Sequence, residues 1–154
     1  MTHAGDRPSR GGHPARRALG MFAGAAAVTL GAGGCAVPET VVWGPDGAAV
    51  KSATRDVIAA AQRGGDGLPA CPGVSVVTGD PAAWRGAGAG EPERPGPDLP
   101  AELTRGGEPA WVINVEAGAE AAAPGARVPG SLAFSDLADG GLCLSGLDWA
   151  NVGG

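Results

Sequence analysis

A scarcity of large apolar side chains limits what this chain can fold into. From Cys35 to the C-terminus, only 23 of 120 residues are Val, Leu, Ile or Phe, which is close to the composition at which chains cease to fold. Four tryptophans add apolar area, since each can bury on the order of 200 Å². The sequence therefore predicts one small domain in which a limited core is surrounded by irregular chain.

One stretch has the periodicity of a helix. Apolar or small residues recur at spacings of three and four over residues 48–63, which predicts a helix that packs one face on a sheet or, alternatively, docks a partner. Gly64 and Gly65 can supply the left-handed residue that ends it. The residues of the apolar face are Val50, Thr54, Val57, Ile58 and Ala61.

Several short stretches favour strands. The clearest is 111–117, where Trp111, Ile113 and Val115 alternate with residues that face the other way. Further strands are predicted at 41–43, 73–78, 132–134 and 142–145, and one helical turn at 80–86. The predicted fold is α+β: one main helix against a mostly antiparallel sheet of about four or five strands, with long Gly/Pro-rich loops.

The longest of these loops is 86–109, which contains five prolines among many Gly and Glu residues. Such a segment buries too little to offset the entropy lost when it is ordered. We predict a mobile loop, with an ordered functional loop as the alternative.

The first 35 residues have the order of a secretory signal. Arg16 and Arg17 precede an uncharged, mostly apolar run at 18–30, which is followed by the small residues 31–34 and then by Cys35. This order resembles that of a bacterial lipoprotein precursor. The resemblance implies that Cys35 receives a diacylglycerol, that the chain is cut before it, and that the protein is anchored to the outer face of the cell membrane.

On this interpretation residues 1–34 are a signal peptide, 35–40 a lipid-anchored tether, and 41–154 a single domain with the mobile loop 86–109. The paired arginines are also compatible with twin-arginine export, so that route and the general secretory route both stay open. A retained membrane span is the other alternative, although 18–34 provides only about 17 residues, rich in Gly and Ala.

The exported part contains no histidine, since His3 and His13 both lie in the signal. Catalytic triads and zinc sites therefore lack their usual base or ligand. Paired acids such as Glu116 with Glu120 are what any acidic surface offers, and the turn 136–140 lacks the alternating oxygen ligands of a calcium loop. We predict no enzymatic activity, no cofactor and no metal.

The charge of the exported part narrows its partners. Seven Lys and Arg residues stand against 15 Asp and Glu residues, a net charge of −8 without a basic cluster. Nucleic-acid binding needs clustered cations, so it is not expected. A basic grip on lipid is not expected either, and any membrane attachment must come from lipid on Cys35.

Two cysteines remain once Cys35 is assigned to lipid. Cys71 and Cys143 lie in the exported part, where disulfides form and persist, and neither has further ligands for a metal. We predict a disulfide between them that closes a loop of about 70 residues. Two buried free thiols are the alternative.

The tryptophans have two interpretations. Trp43 and Trp111 are predicted core anchors, whereas Trp84 and Trp149 lie among small and polar residues and are candidates for contact with a glycan or a protein partner. The hypothesis is a non-catalytic envelope lipoprotein that acts through contacts with an envelope protein, as an accessory or regulatory factor of a membrane complex or sensor. The alternative is a binding module for a cell-wall or small-molecule ligand.

Overall fold

A computed structural model describes residues 38–153, which form one helix and one antiparallel sheet. The helix is α1 (Glu39–Gln62), and the strands are β1 (Gly88–Glu93), β2 (Trp111–Glu116), β3 (Arg127–Asp136) and β4 (Leu142–Asn151). The strands lie side by side in chain order, and every neighbouring pair is antiparallel. The α+β prediction is confirmed.

α1 begins earlier than predicted and is kinked. Gly44 has φ 69° and ψ 177°, which interrupts the helix between a first turn from Glu39 and the longer part from Pro45 onward. The predicted strand at 41–43 is therefore wrong, because these residues form that first turn. Pro45 suits the start of the second part, since its ring fixes a helical φ and its missing N–H needs no partner there.

The predicted helix at 48–63 is confirmed, and so is its buried face. It ends in a Schellman motif: the N–H of Gly65 donates to Ala60 O at 2.9 Å, and that of Gly64 donates to Ala61 O at 3.0 Å. Both glycines have positive φ. α1 lies on one face of the sheet, where its apolar residues join side chains of β2, β3 and β4 in a single core.

β2 to β4 extend the predicted strands. Ile113 and Val115 of β2 are buried, whereas Asn114 and Glu116 are exposed, as the alternation predicts. The predicted strand at 132–134 lies within β3, and the one at 142–145 is the beginning of β4; the two ten-residue strands pair as a hairpin. Residues 137–141, which include one aspartate and two glycines, form the turn between them.

β1 lies inside the predicted loop 86–109, so the prediction of irregular chain is wrong for 88–93. Its sequence GAGEPE contains no β-branched residue. It is held instead by backbone pairing with β2 and by Lys51 of α1, whose Nζ donates to Ala89 O at 3.1 Å and to Gly90 O at 2.9 Å. The mobility predicted for the remainder of this segment stays a prediction.

The predicted strand at 73–78 is also wrong. Residues 74–80 form no regular secondary structure and pair with no strand in the described part of the chain, and the isolated bridge nearby joins Ala70 to Leu144. β-branched side chains favour extended backbone, but a strand needs a partner. The helical turn predicted at 80–86 is confirmed as a 3₁₀ turn over Pro81–Trp84, capped by the Asp80 side chain.

The predicted disulfide is present. It joins Cys71 to Cys143, which are 72 residues apart in sequence, and the distance between their α-carbons is 4.8 Å. Both residues are buried. The disulfide therefore fastens the chain that precedes residues 74–80 to strand β4.

Candidate functional site

The structure separates the two tryptophans predicted to contact a ligand or partner. Trp84 is fully buried in the core, and its Nε1 donates to Thr78 O at 2.7 Å, so the prediction of a direct contact is wrong for this residue. Trp149 is half-buried and accessible. Of the predicted anchors, Trp111 packs against the core, while Trp43 is half-buried and lies 5.5 Å from the Lys51 ammonium.

Two neighbouring hollows are both lined by Trp149, Val77 and Arg127. We call this pair the Trp149 cleft. The first hollow, of about 250 Å³, is lined by residues 74–77 and by residues of β4 between 145 and 149. The second, of about 410 Å³, has a more apolar wall. Glu102, Arg105 and Ser145 line only the first hollow, and Gly79, Asp80 and Ala83 line only the second.

The indole of Trp149 is held in place by its neighbours. It meets the buried ring of Trp84 edge to face, with ring centroids 6.0 Å apart. Gly79 has φ +64°, and a β-carbon there would lie 2.9 Å from Trp149 Cη2 and Cζ2. Only glycine allows this approach, so the cleft has a wall whose position is fixed before any ligand arrives.

A buried hydroxyl lacks a partner beside the first hollow. Ser145 is fully buried, and within residues 38–153 its Oγ forms no hydrogen bond. A β-carbon at Gly106 would lie 3.0 Å from Ser145 Cβ, so the segment around Gly106 closes over this side chain. An unsatisfied buried hydroxyl costs about 1–3 kcal/mol, and this hydroxyl is covered on the side of the hollow as well.

The first hollow is locally positive although the domain carries a net charge of −8. Arg105 and Arg127 line it together with one acid, Glu102. The guanidinium of Arg127 lies 5.4 Å from the Trp149 ring centroid. Within residues 38–153 neither arginine forms an ion pair, whereas Lys51, Arg55 and Arg94 all do.

Sequence reasoning missed every polar residue of the cleft. Arg105 and Arg127 each stand in a Gly-, Pro- and Ala-rich stretch without a motif, and Ser145 was predicted only as a strand residue. The one available signal was the apolar run at 74–77, which includes the exposed Val77, 76% accessible.

The turn after β3, which lacks the ligand pattern of a calcium loop, is ordered by one of its own side chains. Asp139 Oδ1 accepts a hydrogen bond from Gly141 N at 3.1 Å, which orders the turn after β3. Across residues 38–153, no three acidic, His or Cys side chains are grouped as metal ligands, and none of the helices has the length and apolar character to cross a membrane. Cys35 lies outside the described residues.

Comparison of the chain with protein-family models, with curated proteins and with solved structures found no match.

Proposed function

We propose that this protein is a non-catalytic binding module of the cell envelope, exported and held at the membrane by lipid on Cys35. The observation that carries the proposal is the Trp149 cleft with the unpartnered hydroxyl of Ser145 behind its wall. Binding sites for small molecules are concave, partly preformed and lined by aromatic side chains with a few convergent polar groups. In support of the proposal, the cleft is concave, its Trp149 side chain is held in place by Trp84 and Gly79, and two arginines line it.

The volumes support a small ligand. The second hollow, of about 410 Å³, lies within the volume range of small-molecule pockets, and the first, of about 250 Å³, lies just below it. A cell-wall fragment or a small metabolite of the envelope is the proposed ligand class. The Ser145 hydroxyl has no hydrogen-bonded base within residues 38–153, so binding rather than nucleophilic chemistry is the proposed role.

Membrane attachment is the second part of the proposal and is tested at Cys35. Two acyl chains give stable attachment, whereas an acidic domain without lipid has no grip on a membrane. We expect the protein to fractionate with membranes and the Cys35→Ala variant to stay uncut or to be released. Processing and fractionation of that variant as for wild type would refute the lipid anchor.

A second candidate function is that of an accessory or regulatory factor which contacts an envelope protein. It is favoured by Val41 and Val42, which are 71% and 56% exposed in the first turn of α1. Adjacent helical residues point apart, so these two valines offer two separate apolar contacts; we call the two side chains together the apolar patch. This patch is separate in sequence from every residue of the Trp149 cleft.

Site-specific photo-crosslinking in cells distinguishes the two functions. A photoreactive side chain at Val77 lies on the Trp149 cleft, one at Val42 lies on the apolar patch, and one at the exposed Asp139 is the control. The binding module predicts capture of a glycan or small molecule from Val77 alone. Capture of one identified protein from Val42, with nothing from Val77, would replace it with the accessory function.

A further inference from the structure

We infer that the Trp149 cleft selects a ligand in which an anionic group is attached to a flat apolar body. This inference rests on the proposed function and adds the chemical class of the ligand. The anionic group, a carboxylate or a phosphate, would lie in the first hollow between Arg105 and Arg127. The apolar body would lie against Trp149 in the second hollow.

The charge of the first hollow supports an anionic group in the ligand. Two arginines and one glutamate leave it with a net positive charge, in a domain whose other surface is predominantly acidic. Guanidinium groups bind carboxylate and phosphate through paired, charge-assisted hydrogen bonds. Since neither arginine forms an ion pair within residues 38–153, both have donors available for a ligand.

The lining of the second hollow supports a flat apolar body in the ligand. Its wall is formed in large part by Val77, Ala83 and Trp149, and it adjoins the first hollow through the residues that they share. Its one acid, Asp80, already accepts a hydrogen bond from Ala82 N at 2.8 Å. An aromatic or other flat ring gains most from contact with an indole whose position is fixed by Trp84 and Gly79.

Ser145 provides a further hydrogen-bonding group next to the first hollow. Its fully buried hydroxyl needs a hydrogen-bond partner and lies beside the hollow that contains the arginines. Because Oγ has no accessible surface here, it can donate to an anionic oxygen only after the covering segment around Gly106 moves aside. A neutral apolar ligand would leave both this hydroxyl and the two guanidinium groups without new partners.

Titration calorimetry with matched probes tests the inference on the purified full-length protein. Benzoate and benzamide have nearly the same shape but differ in charge, and phenyl phosphate replaces the carboxylate with a phosphate. We expect benzoate or phenyl phosphate to bind at least about tenfold more tightly than benzamide, since one charge-assisted bond is worth roughly that factor. Whichever anion binds more tightly identifies the anionic group.

Substitutions assign the effect to residues. Arg105→Gln and Arg127→Gln should each weaken binding of the anionic probe by about tenfold, and Glu102→Gln should strengthen it by removing a like charge. Arg63→Gln is the matched control, because Arg63 is exposed at the end of α1 and lines no part of the cleft. Thermal melts of each variant establish that it is folded.

Each outcome has a defined meaning. Equal affinity for benzamide and benzoate, with loss of both in Arg127→Gln, would overturn the anionic selection and leave the binding module intact. Anion binding that Arg105→Gln and Arg127→Gln leave unchanged would overturn the assignment to this cleft. Absence of binding by every probe would overturn the inferred ligand class, and the crosslinking from Val77 tests the proposed function independently.

Discussion

Removal of the disulfide between Cys71 and Cys143 should cost this domain a large part of its stability. The two cysteines are 72 residues apart. In the chain-entropy treatment, cross-linking a loop of this length destabilises the unfolded state by about 4 kcal/mol. Domains of this size are stable by roughly 5–15 kcal/mol, so the double variant Cys71→Ala/Cys143→Ala should be only marginally folded.

Denaturation by guanidinium chloride measures this loss. The free energy of unfolding of the double variant should fall by about 4 kcal/mol, and its melting temperature by roughly 15 °C for a chain of about 120 ordered residues. Wild-type protein unfolded and refolded in reductant is the control, because it loses the cross-link but keeps both sulfur atoms in the core. The two values should agree to within about 1 kcal/mol.

The disulfide also precedes the wall of the Trp149 cleft, since residues 74–77 begin three positions after Cys71. Amide hydrogen exchange at 72–80 should therefore increase more in the double variant than exchange in β2 does. Unfolding free energies of the variant and of reduced wild type that lie within about 1 kcal/mol of the oxidised protein would refute the loop-closure reasoning.

Three further predictions concern the packing of the core. Gly118→Ala should lower the free energy of unfolding by about 2–3 kcal/mol in a denaturant titration, because its β-carbon would lie 2.0 Å from Arg85 O. Gly96→Ala is the control and should be nearly neutral, because that position is open. Equal losses in the two variants would contradict the packing. Trp84→Phe should cost about 2 kcal/mol because it removes the buried indole N–H donor, and an unchanged unfolding free energy would contradict that bond. Lys51→Met should speed amide exchange in β1 but not in β4, since it removes two donors to β1 carbonyls, and uniform exchange rates would show that β1 does not depend on them.

The parts of the fold that sequence predicted are those in which side-chain pattern and backbone structure agree. The helix at 48–63 and strand β2 carry apolar residues at the period of their own geometry. Pairs of apolar residues two apart also mark the predicted parts of β3 and β4, namely Leu132 with Phe134 and Leu142 with Leu144. The disulfide followed from two cysteines without any other partner. Periodicity reports a buried face, so it finds elements that bury one.

The wrong predictions have the opposite cause. β1 is held by backbone pairing and by Lys51, neither of which leaves a local signal in GAGEPE. Residues 41–43 and 73–78 are both rich in valine. Residues 41–43 nevertheless form a turn of α1 just before the kink at Gly44, and residues 73–78 have no strand to pair with in the described part of the chain. Trp84 was expected to be partly exposed because of its small and polar neighbours, yet its ring lies in the core, with Ala83 and Ala87 packed against that core.

The candidate site was beyond sequence reasoning for a related reason. Its polar residues come from four separated segments, and only the fold brings Arg105, Arg127 and Ser145 to one hollow. Trp149 alone was identified in advance, from an aromatic side chain in a polar setting. The cleft therefore depends on tertiary structure, which no single stretch of this chain encodes.

Amide chemical-shift mapping with a fragment library tests the central claim most directly, because it asks where this protein binds small molecules. The account predicts that fragments shift amides in the cleft segments 74–80, 102–106 and 145–149, together with Arg127, and that Arg127→Gln reduces those shifts. Fragments that shift only amides of α1, or a library without any fragment that shifts the cleft, would contradict it.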